Sequence, residues 1–360
     1  MPLTLLPAEH RALHETLEAP GPMLDLLGGA ALRVAGAASK LGVFEALAGG
    51  PRTTAEVARA AATDPRGTTL LLQALRAYGY VAAHDASDAS DGGGGRWALT
   101  PLAEKWMLRG RPGSFADTLE FWDSLLFGLW GELETSLATG VPPVDWYRWL
   151  EAQPRTLRTF QGMLAGIARR SAPGVVDAVA LPAGAERLVD VGGSHAVFSL
   201  AFLRAHPGLA ATVLDFPGAL EVGRENARAE GLQERVELVP GDFLSPGPLG
   251  SGAYDVALLC SIVHGLSPEA NTGLLRRVRD ALKPGGRVVI VEQTEGGAEP
   301  RGPVDDAFMR TFSLNLFHLL GAQTWSFAEI AGWLEAAGFR DPAETAVRGS
   351  LDRVVQAVRA

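Results

Sequence analysis

From residue 185 onward, apolar positions fall into short, nearly unbroken runs separated by stretches with helical spacing. The runs are "RLVDV" (187–191), "ATVLD" (211–215), "VELVPGD" (236–242), "YDVALLC" (254–260) and "RVVIVEQ" (287–293). Runs of this kind read as strands covered on both faces, which is the pattern of a parallel sheet. Between them, "FSLAFLRAHP", "ALEVGRENARAEG" and "PEANTGLLRRVRDALKPGG" read as helices, the last stopped by Lys283-Pro284-Gly285-Gly286. "DRVVQAVRA" at the end could add one more strand. The alternation predicts an α/β fold, with a Rossmann-like doubly wound sheet over residues 185–360.

The first 108 residues carry a different pattern, rich in Ala and Leu with helical periodicity. Thr53 and Glu56 form a capping box before a short helix. Asp64-Pro65 then makes a turn into a second helix, with Leu70, Leu71, Leu72 and Leu75 expected to face inward. "YVAAH" and "RWALT" follow as two strands around the Gly/Asp-rich stretch "HDASDASDGGGG", His84 to Gly95, which reads as a loop. Helix, turn, helix and hairpin together predict a mainly α-helical winged-helix domain over 1–108. Residues 109–184 read as a helical, tryptophan-rich connection between the two.

A winged helix is a DNA-binding shape, but charge argues against that use here. The chain has a net charge of -9 and a pI near 5.4. The would-be recognition helix offers only Arg66 and Arg76, and the wing carries three aspartates. A wing meant for a phosphate groove would be basic. Dimerisation or a lid role is the better expectation, with a ligand-responsive DNA-binding regulator kept as a rival. The run Val256 to Val263 is far too short to span a bilayer. The N-terminal stretch lacks the basic and apolar regions of a secretory signal. The single cysteine, Cys260, suits a reducing compartment. A cytoplasmic protein without nucleic-acid or membrane partners is therefore expected. No segment spaces acids and histidines as metal ligands.

Candidate chemistry gathers at the strand ends, where doubly wound sheets bind ligands. Asp190 precedes a glycine turn at Gly192 and Gly193, Asp215 ends the second strand, Asp242 ends the third and His264 follows the fourth. A dinucleotide loop wants G-x-G-x-x-G, and "GGSHAVF" lacks both later glycines. No Walker-type Gly-Lys-Ser/Thr occurs either. Acids without a cationic phosphate cradle suit a positively charged, phosphate-free nucleoside. S-adenosylmethionine has that character, with a ribose diol for Asp215 and an adenine amino group for Asp242. Its amino-acid end could meet the glycine turn and the N-terminus of the helix that follows.

The motifs "LGVFEAL", "LVDVGG", "ATVLDFP", "VPGDFL", "YDVALL", "LKPGGRVVIVE" and "WLEAAGF" occur in that order along nearly the whole chain. With them the chain resembles the class I S-adenosylmethionine-dependent O-methyltransferases that carry an N-terminal winged-helix dimerisation domain, of the plant phenolic and bacterial aromatic natural-product type. The resemblance implies a homodimer joined through the N-terminal domain. It further implies that Gly192 and Gly193 line the methionine part of the cofactor, that Asp215 binds the ribose, and that Asp242 and Phe243 contact the adenine. His264 would be the general base, oriented by Glu292, which lies 28 residues later. Trp122, Phe160, Met163 and Met309 would wall the acceptor pocket. The family loop usually has glycine where this chain has Ser194 and Ala196, and its His-Asp-Trp is His264-Gly265-Leu266 here. A second acid near the acceptor falls at about Thr324.

A phenol has a pKa of roughly 10, so a base is useful at neutral pH; a neutral imidazole at His264 would serve. His195 is expected either to touch the cofactor carboxylate or to be a loop histidine. His318 reads as a packed helix histidine, and Glu295 and Asp305 as solvated loop acids. The expected activity is methylation of a hydroxyl on a small aromatic or polyketide-like metabolite. The rival within the fold is non-methyl chemistry such as hydroxylation, decarboxylation or cyclisation, prompted by the altered glycine loop.

Overall fold

Seven strands build the larger sheet: β4 (Arg187–Val191), β5 (Ala210–Asp215), β6 (Val236–Pro240), β7 (Tyr254–Cys260), β8 (Leu282–Glu292), β9 (Phe339–Ala346) and β10 (Arg353–Arg359). They belong to a computed structural model that describes residues 5–84, 95–111, 113–245, 247, 249–296 and 302–360. Packing divides the chain into two units, Met1–Gly131 and Glu132–Ala360. Of the tryptophan-rich connection, residues 109–131 lie in the first unit and 132–184 in the second.

In the first unit, β1 (Arg52–Thr53), β2 (Val81–Ala83) and β3 (Arg96–Leu99) form an antiparallel sheet in the order β1-β3-β2. The helix Thr54–Ala61 opens with the expected box: Glu56 N–H donates to Thr53 Oγ1 at 3.3 Å, and Thr53 N–H to Glu56 Oε2 at 2.7 Å. Asp64 caps the next helix, Pro65–Ala77, by accepting from Gly67 N–H at 2.7 Å. Leu72 and Leu75 are buried in the core with Phe44, Val57 and Trp97, but Leu70 is 58% exposed. At about 100° per residue a helix cannot turn four leucines spaced this closely to one side. The stretch 85–94 of the Gly/Asp-rich loop lies outside the described residues.

The second unit holds the larger sheet in the order β6-β5-β4-β7-β8-β10-β9. Strands β4 to β8 pair in parallel, while β10 pairs antiparallel with both β8 and β9. The sheet is thus mixed, not wholly parallel. The helix Pro268–Ala281 ends before Lys283, and 282–286 already belongs to β8. Apolar clusters fill both faces, one with Leu259, Leu274 and Ile290, the other with Phe198, Phe202 and Val256. The long helix Pro154–Ala178 packs Ala165, Ala168 and Ala172 into the second cluster. Adjacent β4 and β7 lead to opposite sides of the sheet, so their carboxyl ends open the switch-point crevice where such folds bind ligands.

Candidate active site

The turn after β4 requires glycine at two positions. Gly192 has φ of +71°, and a Cβ there would come 2.3 Å from Ile262 Cδ1. A Cβ on Gly193 would lie 2.4 Å from the Asp190 carboxyl carbon. Ser194 and Ala196 nevertheless keep left-handed backbone, with φ of 35° and 59°. Hydrogen bonds hold them there: Ser194 N–H donates to Asp215 Oδ2 at 3.0 Å, and Ala196 N–H to Gly193 O at 2.7 Å. Asn226 Nδ2 donates to His195 O at 2.8 Å. Nδ1 of His195 accepts from Val197 N–H at 3.1 Å, so the first turn of the helix Val197–Ala205 is capped by this ring. That N–H is therefore taken rather than open to a cofactor carboxylate. Burial, with Arg169 adding to it, lowers the His195 pKa to about 4, which keeps the ring neutral.

Two carboxylates lie beneath this turn. Asp190 is buried; its Oδ2 accepts from Ser199 Oγ at 2.7 Å, and Oδ1 has no partner. Burial pushes its pKa up to about 6, opposed by the Ser199 bond and aided by the Asp215 charge. Asp215 is also raised to about 6 by burial, against the N–H groups of Phe216 and Ser194. Neither acid forms an ion pair among the described residues. This donor set fits a cationic nucleoside: buried acceptors, one orphaned oxygen and a glycine cradle that a Cβ would fill. It repels a pyrophosphate. Asp242 bonds within its own turn, accepting from Leu244 N–H at 2.8 Å and Ser245 Oγ at 2.9 Å. Phe243 lies beside Gly192, half-buried.

Across the crevice, His264 sits in a single 3-10 turn, Val263–Gly265, just after β7. Its Nδ1 lies 2.6 Å from Oε2 of Glu292, the last residue of β8. The other carboxylate oxygen accepts from Val263 N–H at 2.9 Å. The side chains are 15% and 4% exposed, respectively. A carboxylate facing Nδ1 keeps the proton on that nitrogen and leaves Nε2 with a lone pair, the form a general base needs. The turn is itself fixed: Asn271 Nδ2 and Trp325 Nε1 both donate to Val263 O, at 2.9 and 3.1 Å. Leu266, in place of an aromatic, packs with Ile262 and Phe243 against the core. The Phe312 ring meets the imidazole edge-on at 5.5 Å, and Phe308 lies parallel to Phe312 at 6.0 Å.

Other expected residues are more dispersed. Phe160 packs edge-on to Trp146 at 5.7 Å, and Met163 is buried on the same helix. Met309 is wholly buried, and the ring beside His264 belongs to Phe312, three residues on. Trp122 belongs to the first unit, edge-to-face with Phe121 at 6.1 Å. His318 is packed, with Nδ1 2.9 Å from Ser136 Oγ. Glu295 is not the solvated acid expected: Thr324 Oγ1 donates to it at 2.6 Å and Arg310 pairs with it at 2.8 Å. Sequence reasoning missed Ser199, Asn226, Asn271, Trp325 and the Phe308–Phe312 pair. Only the last left a signal, two phenylalanines one helical turn apart.

Residues 136–340 match the family described as O-methyltransferase domain, and residues 24–109 the O-methyltransferase dimerisation domain. The chain is similar to a 3-amino-4-hydroxybenzoate 4-O-methyltransferase of Streptomyces cremeus, 33% identical over 71% of this chain and 68% of that one. A 3-hydroxy-5-methyl-1-naphthoate 3-O-methyltransferase of Streptomyces sahachiroi is 30% identical over 84% of each. Among solved structures, the mitomycin 7-O-methyltransferase MmcR superposes with a TM-score of 0.81 at 27% identity, covering 96% of this chain and 98% of that one. Among the described residues, no helix is long and apolar enough to cross a membrane.

Proposed function

The chain belongs to the O-methyltransferase family, and from that premise we propose that it methylates a hydroxyl of a small aromatic or polyketide-like metabolite, using S-adenosylmethionine and His264 as general base. The observation that carries this reading is the 2.6 Å contact between His264 Nδ1 and Glu292, across the crevice from the glycine turn. The relatives' acceptors, an aminohydroxybenzoate and a hydroxynaphthoate by their names, support an aromatic one here.

When bound, S-adenosylmethionine supplies a methyl group on a cationic sulfonium. Asp215 would hold the ribose hydroxyls, Gly192 and Gly193 would let the backbone approach the methionine part, and Asp242 and Phe243 would meet the adenine. Asp190, under the turn, gives the site its negative potential. Nε2 of His264 would take the acceptor's hydroxyl proton while Glu292 holds Nδ1–H and steadies the imidazolium that results. Phe312, edge-on to His264, offers apolar surface to an aromatic ring, Phe160 and Met163 would extend that wall, and positioning supplies much of the rate. The match over residues 24–109 supports a homodimer joined there. The acidic balance and the single cysteine, Cys260, a free thiol, agree with a cytoplasmic enzyme that does not bind nucleic acid.

Calorimetric titration with S-adenosylmethionine and S-adenosylhomocysteine tests the assignment; absence of binding at millimolar concentration sinks it. Labelled-methyl transfer to a panel of phenols then finds an acceptor. A His264→Ala variant that keeps the full rate on that acceptor refutes the base role.

A further inference from the structure

Three residues beyond Glu292, a second carboxylate gathers contacts that the scheme above leaves unused. Thr324 Oγ1 donates to Glu295 Oε1 at 2.6 Å, and Arg310 pairs with Oε2 at 2.8 Å. The Glu295 N–H donates to Trp325 O at 2.9 Å, and a parallel bridge joins Glu295 to Ser326. One residue therefore binds two remote segments, the helix Pro303–Leu320 through Arg310 and the stretch 324–326 through side chain and backbone. Thr324 N–H donates to Ser313 Oγ at 3.3 Å, which ties the two segments to each other.

Both segments meet the His264 turn. Phe312, two residues after Arg310, touches the imidazole edge-on at 5.5 Å. Trp325, next to Thr324, donates its indole N–H at 3.1 Å to the carbonyl of Val263, directly before His264. The two side-chain partners of Glu295 are not equal. Arg310 is 63% exposed and also meets Asp306 at 3.6 Å, so water and a neighbour on its own helix can replace the pair. Thr324 is 2% exposed. Without the carboxylate its buried hydroxyl loses this acceptor, and the segment must shift to find another.

We infer that Glu295 is a positioning residue for the methyl transfer, fixing the helix of Phe312 and the stretch 324–326 against each other so that the His264 imidazole stays aligned with Glu292 and the acceptor. It touches no reacting atom and acts through Thr324, Trp325 and Phe312. The inference rests on the reading of His264 as the base. A misplacement of about 1 Å, caused far from the reacting atoms, can cost about a hundred-fold in rate, so small movements of this turn register in turnover.

The test compares wild type with Glu295→Ala, Glu295→Gln, Thr324→Val and the double variant Glu295→Ala/Thr324→Val, each checked for folding by circular dichroism. The first readout is the downfield proton resonance of His264 Nδ1–H in the free full-length chain, assigned by its loss in His264→Ala. It should be present in wild type and in Glu295→Gln, which keeps an acceptor for Thr324, and shifted or broadened in Glu295→Ala and Thr324→Val. The second is labelled-methyl transfer to the phenol found above, where those two variants should lose about ten-fold in kcat or more. The double variant should be no worse than either single one, because both break the same contact. Acceptor KM and affinity for S-adenosylhomocysteine should stay within about three-fold. An unchanged resonance and kcat in Glu295→Ala overturn the inference and leave the base role standing, as does a lowered melting temperature with kcat intact. A loss that Glu295→Gln shares in full also overturns it, since charge and not position would then matter. A wild-type chain without the resonance, or a His264→Ala variant with the full rate, removes the base reading and this one together.

Discussion

Replacing Asp190 by asparagine should make the cofactor-free protein less sensitive to rising pH. The carboxyl is raised from 3.8 to about 6, chiefly by burial. A shift of roughly two units, at about 1.4 kcal/mol each, means that the ionised group costs the free protein on the order of 3 kcal/mol at neutral pH. The sign follows from linkage. The folded state holds this proton more tightly than the unfolded chain, so the penalty is full above about pH 6 and gone below about pH 4. Asparagine keeps the acceptor for Ser199 Oγ, which lies 2.7 Å from Oδ2, and puts an unpaired amide where Oδ1 is already unpaired. Its own cost does not vary with pH, so the informative quantity is a difference of differences. Going from about pH 7.5 to about pH 5 should stabilise wild type relative to Asp190→Asn by roughly 1–1.5 kcal/mol. Urea denaturation of the free protein at both values measures it. A gap between the two proteins that stays constant with pH would refute the argument, because it would mean that Asp190 titrates alike in the folded and unfolded chains.

The same acids should make cofactor binding pH-dependent. Asp215, raised to about 6, must be ionised to accept ribose hydroxyls well. Affinity measured by calorimetry should therefore fall about ten-fold from pH 7.5 to pH 5, and a flat profile would count against its role. His264→Ala should lower turnover by about 10²–10⁴ with little change in cofactor affinity, and Glu292→Gln should lower it by less, both read by labelled-methyl transfer. Gly192→Ala forces a side chain into left-handed backbone and against Ile262. It should destabilise the protein by about 2–3 kcal/mol in urea and abolish cofactor binding, and a stable, binding-competent variant would show that the turn can relax.

What the sequence disclosed depended on whether a segment's own pattern reflected its surroundings. Strands β4, β5 and β7 lie inside the sheet, covered on both faces, so each is a continuous apolar run readable without the fold. Strand β9 is "FRDPAETA", polar and containing Pro342; it is an edge strand, where a missing N–H is tolerated and solvent takes one side. Nothing local marks it. The acids and His264 were legible because the strand ends fix them in phase. Their supports were not: Ser199, Asn226 and Trp325 reach the site from separate helices or loops, through contacts spanning 9, 31 and 62 residues. Glu295 misled for the same reason, since its partners Thr324 and Arg310 lie 29 and 15 residues further along the chain.

The glycine loop shows how far residue identity and backbone geometry can part. At the level of sequence, Ser194 and Ala196 erode a cofactor motif and admit other chemistry for the fold. In the structure both hold the left-handed conformation that glycine would adopt freely, with φ of 35° and 59°. A non-glycine residue there costs about 1–2 kcal/mol, so the conformation persists only if its surroundings impose it. They do: Asp215 binds Ser194 N–H, Gly193 O binds Ala196 N–H, and Asn226 clamps the carbonyl between them. One of those anchors is the acid assigned to the ribose. The carboxylate that shapes the turn is therefore the one that would hold the nucleoside, and the strain in the loop is borne by the same group that gives the turn its ligand. Without glycine at these two positions, the turn is held not by the backbone's own freedom but by the Asp215 and Asn226 side chains and the Gly193 carbonyl.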